Sequence, residues 1–331
     1  AQVEREFVRL ETEADAGTAQ TLRVVNALQP LLERAGDDHG LCRIWSLRAQ
    51  ADWTSGRVAA ADDAWRQAAE CARRGGDQRA LFDVLGWRST AAVFGPAVVD
   101  EAITRCEEFR ELVAASPIAV LWMLNPLASL RAMRGEFELA DQLLEEAQEI
   151  RRQLGTLDYS VEHHAAFVWM LADQPERAEV PLREGLEILG PMSSGRILAT
   201  TTAMLAQAVY ARGDLDEARA LCRRTEEMAA ADDIVTQVIR RSVEAKILAR
   251  DGRGADAGAL AREAVGLVAP TDLLSHHADA LLDLADVLRT GGSGQQAIDA
   301  ALGALELYET KANTTGAERT RVWIAGKNTP R

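Results

Sequence analysis

Lysine is almost missing from this chain. It stands only at 246, 311 and 327, so arginine carries nearly all of the positive charge. The scarcity matches a GC-rich coding bias, and it has a physical consequence. The formal net charge of −14 gives an acidic surface that repels phosphate backbones and anionic lipid, which excludes wholesale nucleic-acid or membrane binding by this segment. Aromatic residues are also few, at 5%, while alanine is abundant, which favours closely packed helices over a β-rich core. No long apolar run occurs: the most apolar stretch, 118–133, is interrupted by Asn125, Pro126, Ser129 and Arg131, and no secretory signal opens the chain. The four cysteines, Cys42, Cys71, Cys106 and Cys222, form no C-x-x-C pair and read as buried apolar residues in a reducing cytoplasm. The chain begins at Ala1 without a methionine, which leads us to expect a piece of a longer protein.

Signatures of chemistry are missing too. G-x-x-x-x-G-K-[ST] is absent, and Gly291-Gly292-Ser293-Gly294 has neither a preceding strand nor a following lysine, so it reads as a turn. G-x-S-x-G is absent, and no serine or cysteine nucleophile is assignable. The histidine pairs His163-His164 and His276-His277 place neighbouring rings about 100° apart on a helix, which suits no chelate. Both pairs read as structural or surface residues; Asp272 and Asp279 flank His276 at helical spacing, which could raise its pKa, with a metal the lesser reading. Carboxylates such as Glu107, Glu108 and Glu111 fall at solvent-facing spacing. We expect no enzyme, no cofactor and no metal.

What the chain has is a period. Ala61, Ala102, Ala140, Ala178, Ala218, Ala257 and Ala297 recur every 38 to 41 residues. A turn residue precedes most of them by five positions: Gly56, Gly135, Gly213, Gly252 and Gly292, with Asp173 once in that place. Such a period marks stacked helical hairpins. Small residues let two helices approach, and aromatic ones fill the gaps between turns. The spacing predicts hairpins at about 41–74, 78–114, 117–153, 157–189, 195–230, 233–268 and 272–309. Before them, residues 1–35 read as two capping helices split near Asp15–Thr18, each with an apolar stripe. After them, a helix at about 315–325 covers the open end with Val322, Trp323 and Ile324, and the tail from Gly326 frays. The expected domains are therefore a cap (1–35), a repeat array (36–310) and a C-terminal cap and tail (311–331).

In the first hairpin, Trp45, Ala49, Gly56, Ala61, Trp65 and Ala68 follow the aromatic, small, turn, small, aromatic, small order, and here the chain resembles the tetratricopeptide repeat (TPR). The resemblance implies an all-α, right-handed TPR-like superhelix, or α-solenoid. A narrower resemblance rests on "EEMAAADDIVTQVIRRSVEAKILARDG", "ALAREAVGLVAPTDLLSHHADALLDLADVLRTGG" and "ALELYETKANTTGAERTR", with "GPAVVDEAITRCEEF" and "LASLRAMRGEFELADQLLEEA" upstream. Together these segments are similar to the C-terminal helical-repeat region of large bacterial signalling ATPases, in which a class III adenylate/guanylate cyclase domain and an AAA/STAND-type nucleotide-switch ATPase precede the array. Similar arrays occur in LuxR- or MalT-like and SARP-like regulators. The resemblance implies a sensing or scaffolding arm and carries no catalytic residue.

TPR geometry places one face of each hairpin's first helix on the concave groove. Applied to this register, it selects Arg43, Gln50 and Trp53; Trp87; Trp122, Asn125 and Met133; His163, Phe167 and Met170; Gln207 and Tyr210; and Lys246 and Arg250. Ser46, Val84, Phe94, Ser129, Ser242, Asp279, Asp286 and Arg289 share that face. Aromatic members gather toward the N-terminal half and charged ones toward the C-terminal half. Such a groove suits a peptide or helix anchored by side chains, whereas a carboxylate clamp needs more lysine and arginine. Trp53, Trp87 and Trp122 also fit a packing role between hairpins. The expected function is a non-catalytic protein- or peptide-binding sensor that serves a nucleotide-switch ATPase or cyclase. The alternatives are a free-standing scaffold for assembly or self-association, and a small-effector sensor in a transcription regulator.

Overall fold

The computed structural model describes residues 2–12, 17–155, 160–190 and 195–326. Every regular element among them is an α-helix, and no strand occurs. Two helices, α1 (Gln2–Thr12) and α2 (Thr18–Ala35), lead into seven antiparallel hairpins. These are α3/α4 (Asp38–Thr54, Val58–Arg74), α5/α6 (Gln78–Phe94, Val99–Leu112), α7/α8 (Pro117–Met133, Phe137–Leu154) and α9/α10 (Ser160–Leu171, Pro175–Leu189). Then come α11/α12 (Arg196–Arg212, Leu215–Met228), α13/α14 (Ile234–Arg250, Gly254–Val268) and α15/α16 (Leu274–Thr290, Gly294–Lys311), and α17 (Thr314–Ile324) follows. The molecule is thus an all-α, TPR-like superhelix. The tail from residue 327 and part of the expected α1–α2 break lie outside the described residues.

The periodic alanines explain the hairpins. Ala61, Ala140, Ala178, Ala218 and Ala257 are fully buried, and Ala102 and Ala297 nearly so. Each sits in its hairpin's second helix at the crossing with the first, where a larger side chain has no room. The preceding turns need left-handed backbone. Gly252 has φ +78°, and Asp173 adopts φ +57° in the same place, a conformation that Asp tolerates better than most residues. Side-chain caps hold several helix starts: Asp37, Asp77, Asp214 and Asp233 accept from Gly40, Ala80, Glu217 and Thr236. All four cysteines are buried thiols, and burial pushes those of Cys42 and Cys106 up to about 11.

The superhelix meets itself after one turn. Asp232 accepts from the Thr18 amide at 2.7 Å, and Asp272 from the Val58 and Ala59 amides at 2.6 and 2.7 Å. Lys311 Nζ donates to the carbonyls of Ala92, Gly95 and Ala97 at 2.8, 2.6 and 2.6 Å. Thr314 and Thr315 donate to the carbonyls of Met133 and Ala132 at 3.0 and 2.7 Å. Three of these contacts share one sequence separation, 214 residues. Their signs follow the helix dipole: carboxylates meet the N-termini of α2 and α4, the hydroxyls meet the C-terminal end of α7, and the ammonium meets the C-terminal end of α5 and the connection after it. Gly56 lies in this seam, where a Cβ would come within 2.7 Å of Thr271 Cγ2. The expected concave groove is therefore walled in by its own next turn.

Candidate functional site

The first helix of every hairpin faces inward, and together with α1 and α17 these helices enclose a lumen of about 1130 Å³. One stretch of its wall is aromatic: Trp53 (α3), Phe82, Trp87 and Phe94 (α5), Trp122 (α7) and Phe167 (α9). Trp53 lies 6.1 Å from Trp87 and 6.0 Å from Phe94, edge-on to both. Behind them the fully buried Trp65 stacks on Trp87 at 5.4 Å, which fixes the orientation of that ring. Phe94, the last residue of α5, also meets Phe167 at 5.7 Å, His164 at 5.9 Å and His276 at 5.3 Å. Gly86 makes room for Trp122: a Cβ there would stand 3.1 Å from the Trp122 Cβ.

The helices that follow supply the charge. On α15, Asp279 and Asp283 line the lumen one turn apart. Asp283 pairs with Lys246 of α13 at 2.7 Å; burial opposes charge on both, yet the contact holds Lys246 above the ordinary lysine range. Asp279 accepts from the Tyr308 hydroxyl and pairs with Arg319 of α17 at 3.2 Å. Burial and that neighbouring carboxylate push the Tyr308 hydroxyl well up, which keeps it a donor. Arg196, at the start of α11, pairs with Asp232 at 3.1 Å. Asp83 faces the lumen on α5, where burial raises its pKa against the pull of Arg43 and Arg79. Acids and bases in this wall nearly balance, so the aromatic stretch dominates what the lumen offers.

The histidines of this wall are held below the ordinary imidazole range. Burial lowers His163 to about 4 and His164, with His163 beside it, to about 3. His163 Nε2 lies 2.7 Å from Thr201 Oγ1, whose proton goes to the Ile197 carbonyl, so Nε2 is the donor. His164 Nδ1 lies 2.8 Å from Ser129 Oγ. The expectation for His276 is corrected: burial lowers its pKa, and Asp279 offsets this only in part. No cluster of metal-ligating side chains occurs among the described residues.

Eight of the groove residues selected from sequence line the lumen: Gln50, Trp53, Trp87, Trp122, His163, Phe167, Met170 and Gln207. The other six do not. Asn125 and Met133 are fully buried, because the packed face of α7 extends around most of that helix. Tyr210 is 7% exposed and packs into the core between α11 and α13, with Lys246 and Arg250 over its ring at 4.9 and 5.2 Å. Arg43 turns outward to pair with Glu4 and lies over Phe7 at 4.7 Å. Sequence reasoning missed Phe7 and Leu10 of α1, Phe82, His164, and the charged group Arg196, Asp233 and Arg319. The α1 stripe was visible as Val3, Phe7 and Leu10, but nothing in the period said which surface it covers. Not all carboxylates are solvated: Glu162 is 1% exposed and pairs with Arg151.

A closed TPR-like superhelix with an aromatic-lined lumen is the class of molecule that this architecture defines. The chain matches no described sequence family and no curated protein. Among solved structures it is similar to NprR in complex with its cognate peptide NprX (TM-score 0.62, 12% identity, 84% of each chain covered). It is also similar to the apo form of RapI (TM-score 0.56, 13% identity, 81% of this chain and 98% of that one). A third is a Rap protein complexed with competence and sporulation factor (TM-score 0.55, 13% identity, 96% of this chain and 99% of that one). At these identities the likeness is one of fold.

Proposed function

We propose that the chain is a non-catalytic sensor module that takes a peptide into its lumen, anchored by apolar or aromatic side chains against Trp53, Trp87, Trp122 and Phe167. The observation that carries this reading is the composition of the wall. An aromatic stretch built on rigid helices and edged by a few fixed polar groups is how ligand sites gain both affinity and orientation. That NprR, which shares the fold, is found in complex with its cognate peptide supports the same reading. The sequence segments that resemble helical-repeat arms of signalling ATPases support a further element: occupancy is read by an associated nucleotide-switch ATPase or cyclase domain in the cytoplasm. The enclosed volume favours one second reading. At about 1130 Å³ the lumen is only slightly larger than small-molecule sites of roughly 300–1,000 Å³, which suits a small effector bearing an apolar ring.

The test is affinity selection from a random peptide library, followed by calorimetry of the recovered sequences. Trp122→Ala and Phe167→Ala are expected to weaken the recovered peptides at least tenfold while leaving helicity intact. Recovery of no peptide at micromolar concentration, with saturable binding from a small-metabolite library, replaces the first reading by the second. Undiminished binding in both variants removes the lumen as the site.

A further inference from the structure

We propose that the seam between successive superhelical turns is a releasable latch with Lys311 as its bolt, and that its release opens the side wall of the lumen. The argument starts from the chemistry of one ammonium. Lys311 is fully buried and donates to three backbone carbonyls, a geometry only the charged amine satisfies because it alone has three N–H bonds. No carboxylate pairs with it among the described residues. A buried cation held by dipoles alone recovers its hydration whenever it leaves, so the closed state is poised. Burial and the nearby Arg105 both oppose its charge, bringing Lys311 down to about 7.

The remaining contacts share this design. Most are side chains from the later turn bonded to backbone groups at helix ends of the earlier one, and the Asp272 amide adds a backbone bond to the Gly56 carbonyl at 3.3 Å. The Thr18, Val58 and Ala59 amides lie in the first turns of their helices, where no helical acceptor exists, and the Ala132 carbonyl keeps the Gly135 amide at 3.0 Å, so opening the seam breaks no helix. Sequence adjacency ties the seam to the lumen: Phe94 precedes Gly95, Leu273 follows Asp272 and Asp233 follows Asp232, and all three of these neighbours line the cavity. Parting the turns therefore moves wall residues directly, while apolar contacts at Val268 and Leu273 favour reclosure.

Hydrogen exchange tests this without any ligand. The Val58 and Ala59 amides lie in the first turn of α4 and are held by Asp272 alone, so their protection reports the seam. The Glu217 amide, held by Asp214 inside its own hairpin at 3.1 Å, is the internal control. In Lys311→Met, exchange at Val58 and Ala59 is expected to rise at least tenfold with Glu217 unchanged, and the radius of gyration in solution scattering is expected to increase. Unchanged or slower exchange at those amides in a variant that keeps its helicity overturns the proposal. If Lys311→Met loses helicity, Thr314→Val/Thr315→Val removes only two seam donors and is read the same way. Unchanged exchange there also overturns it.

Discussion

Alanine at a helix crossing is the most demanding residue of this protein. Ala140 and Ala218 have no exposed surface, so Ala140→Arg or Ala218→Arg buries a guanidinium without a partner and is expected to cost several kcal/mol. Chemical denaturation measures this, and an unchanged midpoint in both variants shows that the crossings tolerate bulk. Two inward-facing histidines make a different demand. His163 and His164 titrate at about 4 and about 3 in the fold, against 6.5 in the unfolded chain. Between those values the unfolded chain binds protons that the fold refuses, so stability is full above pH 6.5 and falls as the pH drops toward 4. Thermal melts across that window are expected to show the decline, and a His163→Asn/His164→Asn variant is expected to flatten it. A wild-type melting temperature that does not change between pH 6.5 and 4 refutes the assignment.

Helices and turns were the readable part of this sequence. The start of every second helix that begins at a glycine turn follows from the Gly-to-Ala interval, because left-handed backbone and a tight crossing each restrict residue choice strongly. The inward face was readable in part. Trp53, Trp87, Trp122 and Phe167 follow from a repeat register applied to one helix face, but Met133 and Asn125 do not, because α7 packs against neighbours on almost every side. Tyr210, one turn from Gln207, rotates just far enough to join the core. Two turn glycines separate these effects experimentally. Gly56 and Gly252 have φ of +71° and +78°, so alanine at either is strained by roughly 1–2 kcal/mol. Only at Gly56 does the new Cβ also meet Thr271, at 2.7 Å, whereas nothing lies near Gly252. Gly56→Ala is therefore expected to lower the urea midpoint more than Gly252→Ala, and equal losses would show that the adjacent turn yields freely.

Closure of the superhelix was invisible in the sequence, for a physical reason. A repeat pattern fixes how each hairpin meets the next, while contacts 214 residues apart depend on curvature accumulated over every hairpin between them. Lys311 stood out in the sequence as one of three lysines, and nothing local said what it holds. Neighbour-by-neighbour packing and seam contacts also differ in cooperativity. Amides held across the seam are expected to exchange through openings with a weaker urea dependence than amides in the middle of α7, since parting two turns exposes less surface than unfolding hairpins. Native-state exchange at a series of urea concentrations measures both, and coincident slopes would make the array one cooperative unit.

The shared spacing of 214 residues has an evolutionary corollary. An open array gains or loses a motif at little cost, since only two junctions change. Here, duplicating one motif anywhere between Met133 and Asp232 slides the carboxylates, the ammonium and the hydroxyls away from the backbone groups they serve, all in a single event. Circumference, more than local packing, thus sets how many motifs this lineage can carry, and divergence is channelled into substitutions on the inner wall instead of changes in length.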